Sequence, residues 1–221
     1  RYEMLPSPRG SVAPALSVHY AHPDCSEFLK SNIYGFLRQL DPFLDRDVVY
    51  LCIGTDRATG DSLGPLVGTF LQRRLPGLNL FGSLERPSHA VNLPAVIKEI
   101  HSKYTDPVIV AIDASLGSEE RVGHISVQEG GLTPGAALNK SLPTVGDFHI
   151  SAVVNVGGYL EQMVLQNTRL FVVYRMAELI AQGLSEAHIL YNSDVPFPFI
   201  PKPRPAPLLL RNKTLHKTMH L

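Results

Sequence analysis

Two aspartates stand where chemistry is expected. Asp61 follows the polar, glycine-punctuated run Thr55-Asp56-Arg57-Ala58-Thr59-Gly60, itself preceded by the apolar segment Val48–Gly54, and Asp113 closes the apolar segment Val108–Ile112. In an open α/β sheet, sites form at the carboxyl ends of strands, and a carboxylate there is costly to desolvate without a partner or a purpose. The two are 52 residues apart (113 − 61), room for a helix, a strand and a second helix. If their strands are near neighbours, a spacing of about 5 Å brings both carboxyls to one crevice. Such a pair can share one proton, one member acting as base and the other as acid, or can ligate a hard or borderline cation. His149 follows the loop of Gly130, Gly131, Pro134 and Gly135. It reads as the start of a helix, where it is either a surface or capping residue or a metal ligand or proton carrier for the pair. His89, in Ser88-His89-Ala90-Val91-Asn92, can line the same mouth. Ser62, Gly64, Ser115 and His89 are candidate substrate-binding residues, with amides near Ser62–Gly64 as donors to a developing oxyanion.

Other chemistries fit less well. Asp61 before Ser62 also reads as a helix cap opposing the positive end of the dipole. A phosphate loop would need a lysine after its second glycine, but Gly60 is followed by Asp61, whose charge repels phosphate. The dinucleotide pattern GxGxxG is absent, and neither Ser62 nor Ser115 lies in a GxSxG elbow. Cys52 reads as packing inside a buried strand. With Cys25 it makes too few cysteines for a disulfide framework or a cysteine zinc site. Met163 and Met176 read as core filler.

The elements that position these residues follow from periodicity. Val48–Gly54 and Val108–Ile112 are β-branched, apolar runs of the kind buried on both sheet faces. Leu78–Phe81 and Gly123–Gln128 read as two further strands. Helical spacing predicts Asp24–Leu40, Asp61–Leu75, Ala90–Tyr104, His149–Gln166 and Thr168–Ala187, the second with Leu63, Leu66, Val67, Phe70 and Leu71 on one face. Strands alternating with helices predict a three-layer α/β domain with a mainly parallel sheet. Gly157 and Gly158, placed in the fourth helix, would permit close approach of another helix or of a second subunit.

Composition bounds the rest. The 221 residues are 44% hydrophobic, enough for one core, and carry 20 basic against 20 acidic side chains. That balance argues against a general nucleic-acid binder. No apolar run approaches the roughly 18 residues of a membrane helix, and no basic-then-apolar leader opens this sequence, so a cytoplasmic protein without membrane contact is expected. Residues 1–23 read as a loose lead-in, 24–195 as a single α/β domain and 196–221 as a Pro-rich tail. The tail holds Lys202, Arg204, Arg211, Lys213 and Lys217 and no acid, which leaves the rest of the chain at −5. It reads as a solvated arm or as a docking arm for an acidic partner or another subunit.

Three segments carry a family resemblance: GTDRATGDSLGPLVGTFL, AIDASLG and GGLTPGAALNKSLPTVGDFHISAVVNVGGYLEQMVLQNTRL. Together they closely resemble the YyaC-type sporulation proteins of spore-forming bacteria, from about Val18 to Ala187. That family is similar to the germination protease, which degrades small acid-soluble spore proteins, and more distantly to the hydrogenase maturation endopeptidases. The resemblance implies a three-layer sandwich with a mixed, mainly parallel sheet of the phosphorylase/hydrolase-like kind. It implies an endopeptidase of sporulation or germination acting in the sporulating cell or forespore, with Asp61 in GDSLGP and Asp113 in DASLG matching the two aspartates of the germination protease. It requires no cofactor along that route. The maturation endopeptidases place an acidic residue, an aspartate and a histidine around a metal ion, which implies Asp61, Asp113 and His149 as an alternative divalent-metal set. The chain is shorter than the germination protease and lacks its inhibitory propeptide. A catalytically silent sporulation protein that binds a spore protein or assembly partner is therefore the rival expectation.

Overall fold

The structure is a computed structural model describing residues 16–134 and 144–194. The 196–221 tail and residues 1–15 of the expected lead-in lie outside the described residues. Six strands form one sheet in the order β1-β5-β6-β4-β2-β3. They are β1 (Leu16–His19), β2 (Val48–Cys52), β3 (Asn79–Phe81), β4 (Val108–Gly117), β5 (His124–Glu129) and β6 (Phe148–Val156). β6, β4, β2 and β3 run parallel, and β5 lies antiparallel to both β6 and β1. The sheet is mixed and mainly parallel, as the alternating strand and helix patterns predict. Leu16–His19 is a correction to the loose lead-in: these residues pair with β5 as the edge strand of the sheet.

Side-chain alternation divides the core in two. On one face Val48, Tyr50, Cys52, Val108, Val110, Ile112, Phe148, Ile150 and Ala152 pack against α1 (Cys25–Leu40), α2 (Leu63–Arg74) and α5 (Leu170–Ser193). On the other face Val49, Leu51, Ile53, Ile109 and Ala111 meet α3 (Leu93–Lys103) through Leu93 and Ile100. β2 is buried along its whole length, which explains its continuous apolar run. This gives three layers: three helices, the sheet, and α3. Among the described residues no helix is long and apolar enough to cross a membrane.

The expected helix His149–Gln166 is not formed. Residues 148–156 are strand β6, and only Glu161–Gln166 (α4) is helical. Period two wins over the helical reading because Phe148, Ile150, Ala152 and Val154 are buried while His149, Ser151, Val153 and Asn155 are half-exposed. Asp147 ties the start of β6 to β4: its amide donates to the Ile109 carbonyl at 2.8 Å, and its Oδ2 accepts the Ile109 amide at 2.7 Å. Gly157 and Gly158 fall in the link after the strand, outside any helix. Met176 is buried, as a core filler should be, but Met163 is 54% exposed.

Candidate active site

β2 and β4 lie side by side, with Leu51 paired to Ala111 and Cys52 to Ile112. The chain leaves β2 at Gly54 with φ 138°, a region that favours glycine. A Cβ at Gly54 would stand 2.1 Å from the Asp61 carbonyl oxygen, and one at Gly64 would stand 2.0 Å from the Ile53 carbonyl oxygen. These two glycines let the first turn of α2 close onto the end of β2, which carries Asp61 over the neighbouring strand. There the turn Gly60–Ser62 is a 3-10 helix preceding α2.

Asp61 does not cap the helix. The Thr55 amide donates to its Oδ2 and to its carbonyl oxygen, both at 3.1 Å, and no side-chain cap bond forms at either helix start. Burial pushes the Asp61 carboxyl up, opposed by the Thr55 amide and by the nearby His89. Asp113 lies on β4 on the face shared with Ala111, and its Oδ1 accepts the Ala114 amide at 2.8 Å. Burial holds the Asp113 carboxyl well above the usual carboxylate range; the Asp61 charge adds to this and the Ala114 amide opposes it. Both carboxyls are pushed up, Asp113 the more strongly, which is the direction of asymmetry an acid–base pair needs.

Both aspartates line one cavity of about 530 Å³, together with Thr55, Arg57, Ser115, His149, Ser151 and the α4 side chains Glu161, Gln162, Leu165 and Gln166. Leu132, Thr133 and Pro134 form another part of its wall. His149 reaches the cavity from β6, not from a helix start. Its Nδ1 lies 2.7 Å from the Gly130 carbonyl oxygen. A carbonyl can only accept, so Nδ1 carries the proton and Nε2 keeps a lone pair. Burial depresses the His149 pKa, against the raising effect of that bond.

Of the four candidate substrate-binding residues, only Ser115 lines the cavity. The Ser62 hydroxyl donates to the Thr59 carbonyl at 2.6 Å and its amide to the same oxygen at 3.3 Å. Gly64 is packed against Ile53. Both donors of Ser62 are thus engaged with Thr59. His89 is held beside the mouth: its amide donates to Asn92 Oδ1 at 2.8 Å, and its Nδ1 accepts the Val91 amide at 3.3 Å.

A polar stripe runs across the same sheet face, and Ser151 is the residue that sequence reading missed. Asp113 is in register with Ser151, and Ser151 with Ser126. Ser151 donates to Ser115 Oγ at 2.9 Å, Ser126 donates to the Ser151 carbonyl at 3.3 Å, and Gln128 Nε2 donates to Ser126 Oγ at 3.0 Å. The signal was present in the alternation of polar and apolar residues from Phe148 to Val154.

His149 is in register with Ala111, two residues along the strand from the level of Asp113 and Ser151. Among the described residues no group of three His, Cys, Asp or Glu side chains could hold a metal.

The family model and the curated relative agree with the motifs. Residues 17–183 match a family described as a protein of unknown function (DUF1256). The chain is 50% identical over 141 residues, 63% of its length and 69% of the relative's, to the uncharacterized protein YyaC of Bacillus subtilis (strain 168). Among solved structures, the [NiFe] hydrogenase maturation protease HycI from Thermococcus kodakarensis KOD1 is 19% identical, with a TM-score of 0.46 over 69% of this chain and 97% of that one. The breadth of the family match, over the strands and loops that carry both aspartates, makes the conclusion plain: this chain belongs to the DUF1256 family and is of the YyaC type.

Proposed function

We propose that the protein is an endopeptidase that hydrolyses peptide bonds through Asp61 and Asp113, acting on a spore protein in the sporulating cell or forespore. The observation that carries this reading is the pair of carboxyls lining one cavity, with Asp113 pushed well above the usual carboxylate range by burial and by the Asp61 charge. The resemblance of GDSLGP and DASLG to the aspartate motifs of the germination protease supports it.

In this mechanism the Asp61 carboxylate takes a proton from a water molecule as the water oxygen attacks the peptide carbonyl carbon. Asp113 gives its proton to the carbonyl oxygen, which yields a neutral gem-diol. The carbonyl then re-forms as the C–N bond breaks, a diol proton returns to Asp113, and the proton held by Asp61 passes to the leaving amine. The neutral His149, with Nε2 open, can accept a hydrogen bond from substrate or water. Ser115, held by Ser151, is the hydroxyl placed to donate to the developing oxygen charge. Small acid-soluble spore proteins are the substrate class that the resemblance suggests.

The test is cleavage of such proteins, read by intact mass, for the wild type beside Asp61→Asn and Asp113→Asn, each with and without chelator. We expect cleavage by the wild type in both conditions and a loss of about 100- to 10,000-fold in each variant. Cleavage that survives both substitutions, or none from folded wild-type protein, would turn the reading toward a binding protein that uses the same crevice.

A further inference from the structure

Tyr50 stands in the middle of β2 with no exposed surface, and a phenol buried there must place its proton on an acceptor. Among the described residues the hydroxyl has one partner, His188 of α5, whose Nδ1 lies 2.9 Å away with the two rings edge to face. Burial, with Tyr191 and Cys52 beside it, pushes the Tyr50 phenol far up, so it stays neutral. Its O–H therefore donates to Nδ1, which puts the His188 proton on Nε2. Asn192 Nδ2 lies 2.9 Å from that nitrogen, and a half-turn of the amide presents Oδ1 to accept the proton. Every one of these polar groups is then satisfied while the ring carries a single proton.

A second proton breaks the arrangement. Nδ1 becomes a donor facing the Tyr50 hydroxyl, whose own proton is left without an acceptor inside the core. Burial already depresses the His188 pKa. His188 lines a cavity of about 190 Å³ together with Arg46 and Asp47 from the segment before β2, Asn79 of β3, and Tyr191 and Asn192 of its own helix. The Arg46 guanidinium adds like charge and is fixed by bonds to Leu40, Asp106 and Pro107. Asp47 is the one carboxylate in that lining, and it is exposed, so its attraction is screened by water and salt.

The end of α5 is held differently from its middle. Over 173–187 the helix is anchored by buried side chains, Val173, Met176, Ile180 and Leu184 among them. Beyond Ala187 only Tyr191 is buried, while Ile189 and Leu190 are exposed. There the hold is polar: His188 on Tyr50, Tyr191 on Asp41, and Asp194 on Tyr34 and Arg38. Segments with few buried apolar contacts open without the rest of the fold.

We propose that His188 is an acid-sensitive latch: its neutral ring pins the last turns of α5 to β2 through Tyr50, and protonation of the ring releases them. The competing acid group at this end is Asp41. Burial raises its carboxyl, but the bonds from Tyr191 and from the Arg46 and Asp45 amides outweigh burial and hold it below its ordinary value. Asp41 thus stays ionised where histidines titrate.

The test is amide hydrogen exchange of the full chain from about pH 7.5 to about pH 5, with rates corrected for the intrinsic effect of pH. Protection over residues 189–192 should fall about 10-fold or more toward acid, while protection over 173–180 stays level. His188→Asn keeps an acceptor near the Nδ1 position and takes up no proton, so its α5 end should show no such fall. Tyr50→Phe removes the stranded hydroxyl, so the fall should shrink and His188 should titrate closer to its ordinary value by NMR. An equal fall in wild type and His188→Asn overturns the inference, as does an equal loss along the whole of α5, since acid would then act on the entire fold. Should either variant fail to fold, the wild type decides: no fall in protection, or a His188 that titrates at or above the ordinary histidine range, overturns it.

Discussion

Asp61, in the turn after β2, acts on Asp113, which lies within β4 just past its pairing with β2 and not at the strand end that the run Val108–Ile112 suggests, and its charge adds to burial in holding the Asp113 carboxyl above the ordinary carboxylate range. The relationship is built by backbone: β2 and β4 are paired in parallel up to Cys52 and Ile112, and the turn from Gly54 folds back to put Asp61 over the neighbouring strand.

A raised native pKa makes stability depend on pH with a definite sign. Between the unfolded value and the raised native one, the folded Asp113 binds more proton than the unfolded chain does. Stability therefore falls as pH rises from the ordinary carboxylate range through the native pKa, and is flat above it. Asp113→Asn removes the charge that must be desolvated. We expect it to raise Tm at neutral pH, by about 2–4 °C per kcal/mol relieved, with the gap narrowing toward acid where Asp113 is protonated in both states. Thermal unfolding of both proteins across that range checks it; a gap that widens toward acid would contradict the assignment.

The glycines that seat Asp61 make a second prediction. Gly54→Ala and Gly64→Ala each drive a Cβ into a backbone carbonyl, so each should destabilise by about 1–3 kcal/mol or more in urea unfolding. Gly35 sits within α1, and a Cβ there would meet nothing within 4 Å, so Gly35→Ala should stabilise by about 0.5–1 kcal/mol. Losses of equal size at all three positions would mean that close backbone approach does not set Gly54 and Gly64 apart from Gly35.

His149 should titrate below the usual histidine range, as burial dictates. In nitrogen NMR the neutral ring should show the proton on Nδ1, bonded to Gly130, and a bare Nε2. An Nε2–H tautomer at neutral pH would remove the free lone pair from the cavity and with it the proposed hydrogen-bond acceptor.

Much of the frame was legible because it rests on local repetition. Val48–Cys52 and Val108–Ile112 read as buried strands because an apolar run of that length, rich in β-branched residues, has few other homes. α1, α2 and α3 showed helical spacing within three residues of their ends, and α5 did so at its start but runs six residues past Ala187, to Ser193. Phe148–Val156 did not, since its residues are small, apolar and polar in an order that both periods tolerate. What decides for strand is the pairing with β4 and β5, which a linear pattern does not contain. The same error hid Ser151, and it placed Met163 in a core when α4 turns it outward.

By itself the sequence determined the class of the domain, two aspartates that follow buried apolar runs and the exclusion of phosphate-loop and serine-elbow chemistry, because each depends on residue type and short-range spacing. The tertiary structure decided which of the candidate groups meet. It brought Ser115, His149 and Ser151 to the aspartates around one cavity and buried Ser62 and Gly64 in packing. The physical reason is that a side chain's neighbours across a sheet are chosen by strand order and register. Those are set by burial summed over the whole core, not by any residue's own propensity.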